Sequence, residues 1–169
     1  MKVRRPSLPE RLPADVPDRL GVRAGEKVIA WGSSSGGGYV VATDRALYAD
    51  GLGARTRWSS ISRAGWDEPV LSLTILDESG RVTRPVRLRV DDSRDLPPAV
   101  HDRVTASVVV SERVELKEGA KALLAARQDS DDGQIRWSVV FDAGLDPTDP
   151  DLRRAADAAL GQLRGSLGI

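Results

Sequence analysis

Gly36-Gly37-Gly38-Tyr39-Val40-Val41-Ala42-Thr43-Asp44-Arg45-Ala46-Leu47-Tyr48 is the stretch of sequence that decides the fold. Two segments typical of β-strands meet in it at a short polar turn, with Val41 on one side and Leu47 on the other. This pattern predicts a β-hairpin, in which Asp44 bonds its own backbone and tolerates unusual dihedral angles. We therefore expect a mainly β (α+β) protein.

Further short strands are predicted on both sides of the hairpin, because apolar and polar residues alternate there. Pro85 has no N–H to give to a ladder, so the strand that contains it is placed at a sheet edge. A bulge is expected at Ser59-Ser60. The predicted strands cover residues 27–31, 39–43, 46–49, 55–58, 61–66, 70–76 and 82–90, then 108–116, 120–127 and 135–141.

Two longer helices are predicted from their capping residues, after a short helical turn at residues 17–22. Asp95 caps the first, which runs toward Val108 with prolines in its first turn. Asp149 caps the second, at residues 150–167, whose apolar stripe at helical spacing must be buried. That stripe consists of Leu152, Ala156, Leu160, Leu163 and Leu167.

These elements predict three segments along the chain. Residues 1–14 contain three prolines and form an extended tail. Residues 15–108 form a β-rich unit closed by a helix. Residues 109–169 form a β-β-β-α extension, whose terminal helix packs on the strands of that extension.

Composition limits the classes of function. Of the 169 residues, 25 are lysine or arginine and 25 are aspartate or glutamate, so the net charge is zero and a nucleic-acid partner is not expected. The chain has no cysteine, which removes disulfides and thiolate chemistry. No apolar run reaches the ~20 residues of a membrane-spanning helix, and no signal peptide follows Met1. We expect a cytoplasmic protein.

Three segments resemble bacterial pleckstrin-homology-like and GRAM-like domains: Gly25–Trp31, the hairpin Val40–Tyr48, and Trp58–Ile61. The resemblance covers about residues 25–108 and rests on packing and turn motifs. It implies a seven-stranded barrel or sandwich capped by a helix, which serves as a recognition platform. Members that bind inositol phosphates hold them with basic residues in the first hairpin loop. Here that loop, Gly32–Gly38, has no cation.

Several residues could form part of a site, but a structural role is favoured for each. The Gly32–Gly38 loop lacks the spacing and lysine of a phosphate loop and is interpreted as a hairpin loop with a poorly ordered tip. His101, the sole histidine, is expected to be exposed on a helix and to pair locally. Asp129–Gly133 departs from a calcium loop at the glycine and at the twelfth position. Asp142, Asp146, Asp149 and Asp151 are assigned to turns and helix capping.

The tryptophans and three arginines are interpreted in the same way. Trp31, Trp58, Trp66 and Trp137 fall in predicted strands and are expected in the core, with one or two available to line a groove. Arg84, Arg87 and Arg89 are expected on a solvated face, paired with Asp91, Asp92, Glu112 or Glu115.

No combination of residues assembles a catalytic or metal-binding constellation, so no catalytic, cofactor or metal residue is assigned and no cofactor is expected. The sequence favours a non-enzymatic recognition module, a monomer or homodimer, that binds another protein. One alternative is a peripheral membrane or lipid-binding module with a weak basic anchor, worth ~1 kcal/mol per charge. The other is an enzyme whose site is not recognisable in the sequence or forms on oligomerisation. The anchor residues are Lys2, Arg4, Arg5 and Arg11.

Overall fold

The computed structural model describes residues 11–53 and 55–169, and these contain three α-helices and ten β-strands. The predicted tail at residues 1–14 therefore lies largely outside the described residues. The elements are α1 (Asp15–Leu20), β1 (Val28–Ser33), β2 (Tyr39–Thr43), β3 (Ala46–Ala49), β4 (Thr56–Arg57), β5 (Ile61–Asp67), β6 (Val70–Leu76), β7 (Val82–Arg89), α2 (Leu96–Ala106), β8 (Val108–Glu115), β9 (Lys121–Gln128), β10 (Ile135–Phe141) and α3 (Pro150–Leu167).

The strands form three antiparallel sheets, ordered β1-β2-β3-β4, β5-β6-β7 and β10-β9-β8. The expected mainly β class is confirmed, but the first seven strands do not close into a barrel. They are divided into two sheets because β4 is two residues long and the chain then leaves the ladder in a 3₁₀ turn at Trp58–Ser60. One corner joins the two sheets, where Ser33 and Asp92 exchange backbone hydrogen bonds of 3.0 Å.

The predicted hairpin is formed by β2 and β3, with Asp44 and Arg45 as its two turn residues. Thr43, rather than Asp44, stabilises the turn. Its hydroxyl oxygen accepts from the N–H groups of Arg45 at 3.1 Å and Ala46 at 2.9 Å. The Asp44 carboxylate instead accepts from the backbone N–H of Lys27 at 2.8 Å. Asp44 therefore fixes the approach of the chain to β1.

Two local expectations are wrong at their boundaries. The Ser59-Ser60 bulge is part of the 3₁₀ turn, because the Trp58 indole is buried and donates to the Thr43 carbonyl at 3.1 Å. Helix α2 ends at Ala106 instead of continuing to Val108, and the Ser107 hydroxyl donates to the Val104 carbonyl at that end. The edge position of β7, predicted from Pro85, is confirmed.

Three apolar clusters make up the core. The largest lies between the first two sheets and is closed by α2, through Leu96, Val100 and Val104. A smaller one packs α1 on the outer face of the first sheet. The third packs Ala156 and Leu163 of α3 against β9 and β10, as the apolar stripe predicted.

The extension is attached to the first two sheets by a buried arginine. Arg127 of β9 is 4% exposed and donates to the carbonyls of Val104 at 3.3 Å and Ser62 at 2.9 Å, and to the Ser107 hydroxyl at 3.1 Å. Burial lowers the pKa of this guanidinium. Since the last carbonyls of a helix carry partial negative charge, Arg127 also stabilises the C-terminus of α2.

Candidate functional site

The Gly32–Gly38 loop connects β1 to β2, as the hairpin-loop interpretation predicted, but its tip is a defined turn. Ser34 accepts from Gly37 N–H through its carbonyl and from Gly38 N–H through its hydroxyl. The Ser35 N–H donates to the Asp91 carboxylate at 2.7 Å, and this bond, followed by the contact with Arg89, lowers the pKa of Asp91 to about 2. The amide of Ser35 that a phosphate would need is therefore already bonded to a carboxylate.

His101 lines a shallow cavity together with Trp66, whereas the other three tryptophans lie away from it. His101 is exposed on α2, as predicted, and forms no ion pair with any described residue. Trp58 is a core residue at 2% exposure. The other three tryptophans are half-buried, and two carry an arginine over the ring, Arg94 at 4.1 Å from Trp31 and Arg164 at 5.8 Å from Trp137.

Asp129 is the first residue of the acidic segment and is fully buried. Its carboxylate accepts from Arg136 at 2.9 Å and Ser59 at 3.1 Å, and pairs with Arg57 at 3.1 Å. Burial acts to raise the pKa of Asp129, but the Asp131 N–H, Arg136, Ser59 and Arg57 together hold it below its usual range. The segment therefore joins β10 to the first two sheets.

The later aspartates have the local roles that the sequence indicated, with one exception. Asp149 caps α3 by accepting from Asp151 and Leu152 N–H, and Asp146 accepts from Thr148. Asp142, in contrast, binds Arg113 of β8 through both oxygens, at 2.5 and 2.6 Å.

The predicted basic face is only partly ion-paired. Arg89 pairs with Asp91 at 2.8 Å. Arg84 and Arg87 are exposed and form no ion pair with any described residue, because Glu112 and Glu115 lie on β8 of the third sheet. The anchor residues Lys2, Arg4 and Arg5 lie outside the described residues, whereas Arg11 is exposed.

The β6-β7 turn and β10 together create a groove that sequence reasoning missed. Gly80 of that turn has φ +77°, and its carbonyl accepts from the Val139 N–H at 3.3 Å. A Cβ at Gly80 would overlap the Trp137 carbonyl oxygen and lie 3.0 Å from Cα of Ser138. Only glycine therefore allows the turn to lie against the outer edge of β10.

Beyond this contact the turn and β10 separate, and the space between them is about 410 Å³. The segment that connects β10 to α3 closes its far end. Its lining is mainly apolar, and Val82 at the start of β7 is 43% exposed. The apolar lining residues are Val82, Val139, Val140, Phe141, Ala143, Leu145 and Pro147.

The charged groups at the rim of the groove differ in whether they already have hydrogen-bond or ion-pair partners. Asp77 accepts from Ser79 and Arg81 in its own turn, and the Ser79 hydroxyl, followed by the Arg81 N–H, lowers its pKa. Asp142 is bound by Arg113. Arg153 lies 5.9 Å from the centre of the Phe141 ring and donates to the Pro147 carbonyl, while Arg81 makes no direct ion pair with any described residue. Arg81 therefore has no ion pair among the described residues and Arg153 is bonded only to a carbonyl, whereas Asp77 and Asp142 already accept hydrogen bonds.

The groove contains no histidine, serine or cysteine, and within residues 11–53 and 55–169 no three His, Cys, Asp or Glu side chains are placed to hold a metal ion. None of the described helices is long and apolar enough to cross a membrane. An apolar groove with a few polar groups at its rim suits binding of a side chain or an extended segment.

No protein-family model, curated protein or solved structure matches this chain. The only signal for the groove in the sequence was Gly80 itself, since a glycine in a turn between strands also marks a close backbone approach. Its partner, β10, is more than fifty residues away along the chain, so sequence pattern alone does not pair them.

Proposed function

We propose that this chain is a non-enzymatic recognition module that binds another protein in the groove between the β6-β7 turn and β10. The observation that supports this is the apolar lining, with Val82 exposed at its edge. Ligands usually bind to proteins at concave, mostly apolar surfaces that carry a few convergent polar groups. The resemblance to pleckstrin-homology-like domains supports the same class of function, since four strands, three strands and a helix follow one another in residues 28–106.

A peptide selection tests the proposal directly. Random twelve-residue peptides displayed on phage are selected against the full chain and then assayed on two variants. Val82→Arg fills the groove with a charged side chain, whereas Val109→Arg alters another exposed strand valine, on β8, away from the groove. We expect the selected peptides to bind the wild type and Val109→Arg and to lose more than ~tenfold in affinity for Val82→Arg. Peptides that bind Val82→Arg equally well would contradict the proposal.

Peripheral membrane binding is the second candidate, and the unpaired arginines of the second sheet favour it. Arg63, Arg84 and Arg87 are exposed and form no ion pair within the described part of the chain. Flotation with phosphatidylserine vesicles tests this candidate. Salt-sensitive binding that is lost in Arg84→Glu/Arg87→Glu would support it, and no flotation at low salt would exclude it.

A further inference from the structure

We propose that the groove takes an extended acidic segment of the partner, which adds as a strand to the open edge of β10. This inference rests on the proposed function and specifies the chemistry of the ligand. It follows from the direction of the backbone groups of β10, from the shape of the groove and from the charges at its rim.

The alternation of β10 shows which backbone groups face the groove. The Asp142 N–H donates to the Lys121 carbonyl at the start of β9, whereas the Val139 N–H points away from β9 and donates to the Gly80 carbonyl of the β6-β7 turn. Residues 136, 138 and 140 therefore direct their N–H and C=O groups to β9, while residues 137, 139 and 141 direct theirs away from β9. The β6-β7 turn covers the edge at residues 137 and 139.

The remainder of that edge borders the groove. The Phe141 N–H and the Val139 carbonyl have no backbone partner among the described residues. Both residues line the groove, so a segment placed there reaches these groups. An exposed strand edge next to an apolar pocket is the arrangement that binds extended peptides, because main-chain bonds give affinity and alternate side chains enter the pocket.

The charged residues around the groove favour a negatively charged ligand. Arg81 and Arg153 line the groove, and Arg84 is two residues beyond Val82 on β7. An acidic side chain at the rim finds these guanidinium donors. A basic side chain finds Asp77, which already accepts from the Ser79 hydroxyl and from the backbone N–H groups of Ser79 and Arg81. It also finds Asp142, which is already paired with the Arg113 guanidinium.

Two matched libraries test the sign of the charge. Each displays five random residues flanked on both sides by two glutamates or by two lysines, and each is selected against the full chain with counter-selection on Val82→Arg. We expect groove-dependent peptides from the glutamate library alone. Arg81→Gln should weaken them about two- to fivefold, while the exposed Arg11→Gln leaves them unchanged.

N-methylation of the best glutamate peptide tests strand addition. We expect loss of binding when alternate amides are methylated, because only every second N–H faces β10, and slower hydrogen exchange of the Phe141 amide in the complex. Tolerance of methylation at every position, or selection from the lysine library, overturns the inference and leaves the groove as a binding site. If neither library gives a groove-dependent peptide, the inference and the proposed function both fail, and binding to phosphatidylserine vesicles alone would favour the membrane candidate.

Discussion

Asp129 shows how one side chain connects parts of the chain that are distant in sequence. The carboxylate is inaccessible to solvent and is bonded by Arg57 of β4, by Ser59 of the 3₁₀ turn that follows β4, and by Arg136 of β10. Removing one partner of a buried ion pair generally costs about 3–5 kcal/mol, because the other charge remains buried. Here the arginines retain some exposure, which reduces that penalty.

We predict that Asp129→Asn lowers the free energy of unfolding by about 2–3 kcal/mol at pH 7. The folded-state pKa of Asp129 lies below its ordinary value of about 3.9, so its contribution is complete above that pH and is lost as the pH falls through the folded pKa. Urea unfolding between pH 2 and pH 7 measures both effects. Asp157→Asn, on the exposed face of α3, is the control. Equal stability of Asp129→Asn and the wild type at pH 7 would show that the carboxylate is not needed.

Gly80 gives a second prediction at the scale of one residue. Gly80→Ala adds the strain of a positive φ, about 1 kcal/mol, and the overlap of its Cβ with the Trp137 carbonyl, about 1–3 kcal/mol more. Gly25→Ala has a positive φ with no atom within 4 Å of the added Cβ, and so isolates the strain. Thermal unfolding of both variants compares them. An equal loss of stability in the two would mean that the turn does not lie against β10.

Among the elements, α3 depends on the sheet beneath it. Leu163 is 9% exposed and packs with Ala122, Leu124 and Val139, while Leu167 at the end of the same stripe is 44% exposed. The stripe predicted from helical spacing is therefore buried in its middle and open at its C-terminal end.

Leu163→Ala should lower the free energy of unfolding by about 2–4 kcal/mol, and Leu167→Ala by no more than about 0.5 kcal/mol. Urea unfolding at two protein concentrations measures the loss. Should Leu163→Ala leave unfolding unchanged and only dissociate a dimer in light scattering, the stripe would be an interface between two copies.

The bounds of most elements could be predicted from sequence because their signals are local. Asp149 and Pro150 mark the start of α3, and Pro85 marks an edge strand. The C-terminal end of α2 was not predicted correctly, because Ser107 and Arg127 stabilise it from outside the helix. The groove and the burial of Asp129 were missed because their partners lie far away in the sequence. No local pattern distinguishes a solvated aspartate from one that meets two arginines in the fold.

At the scale of the whole molecule, the extension and the first two sheets share a network of polar contacts. Arg127 bonds the end of α2, Asp129 pairs with Arg57, and Asp131 pairs with Arg55 at 2.7 Å. Each contact joins residues on either side of position 108, so separating the two parts would leave a buried charge without its partner.

We predict that the full chain unfolds in one cooperative transition because of this network. The side-chain N–H resonances of Trp58 and Trp137, one from each part, should disappear at the same urea concentration. Wild-type and Asp129→Asn proteins are compared in the same titration. Loss of the Trp137 signal at clearly lower urea in the wild type would mean that the extension unfolds on its own.

The unpaired arginines of the second sheet would also affect how fast the proposed acidic partner arrives. Although 25 basic and 25 acidic residues cancel, Arg63 and Arg87 lie on the same face of the second sheet and have no ion pair among the described residues, whereas Arg84 lies on the other face. Such local positive charge attracts an approaching acidic molecule during diffusion, before any contact forms. Ionic strength should therefore slow the association step and leave dissociation nearly unchanged, since the ~8 Å screening length at 0.15 M salt weakens attraction at a distance more than bonds already made.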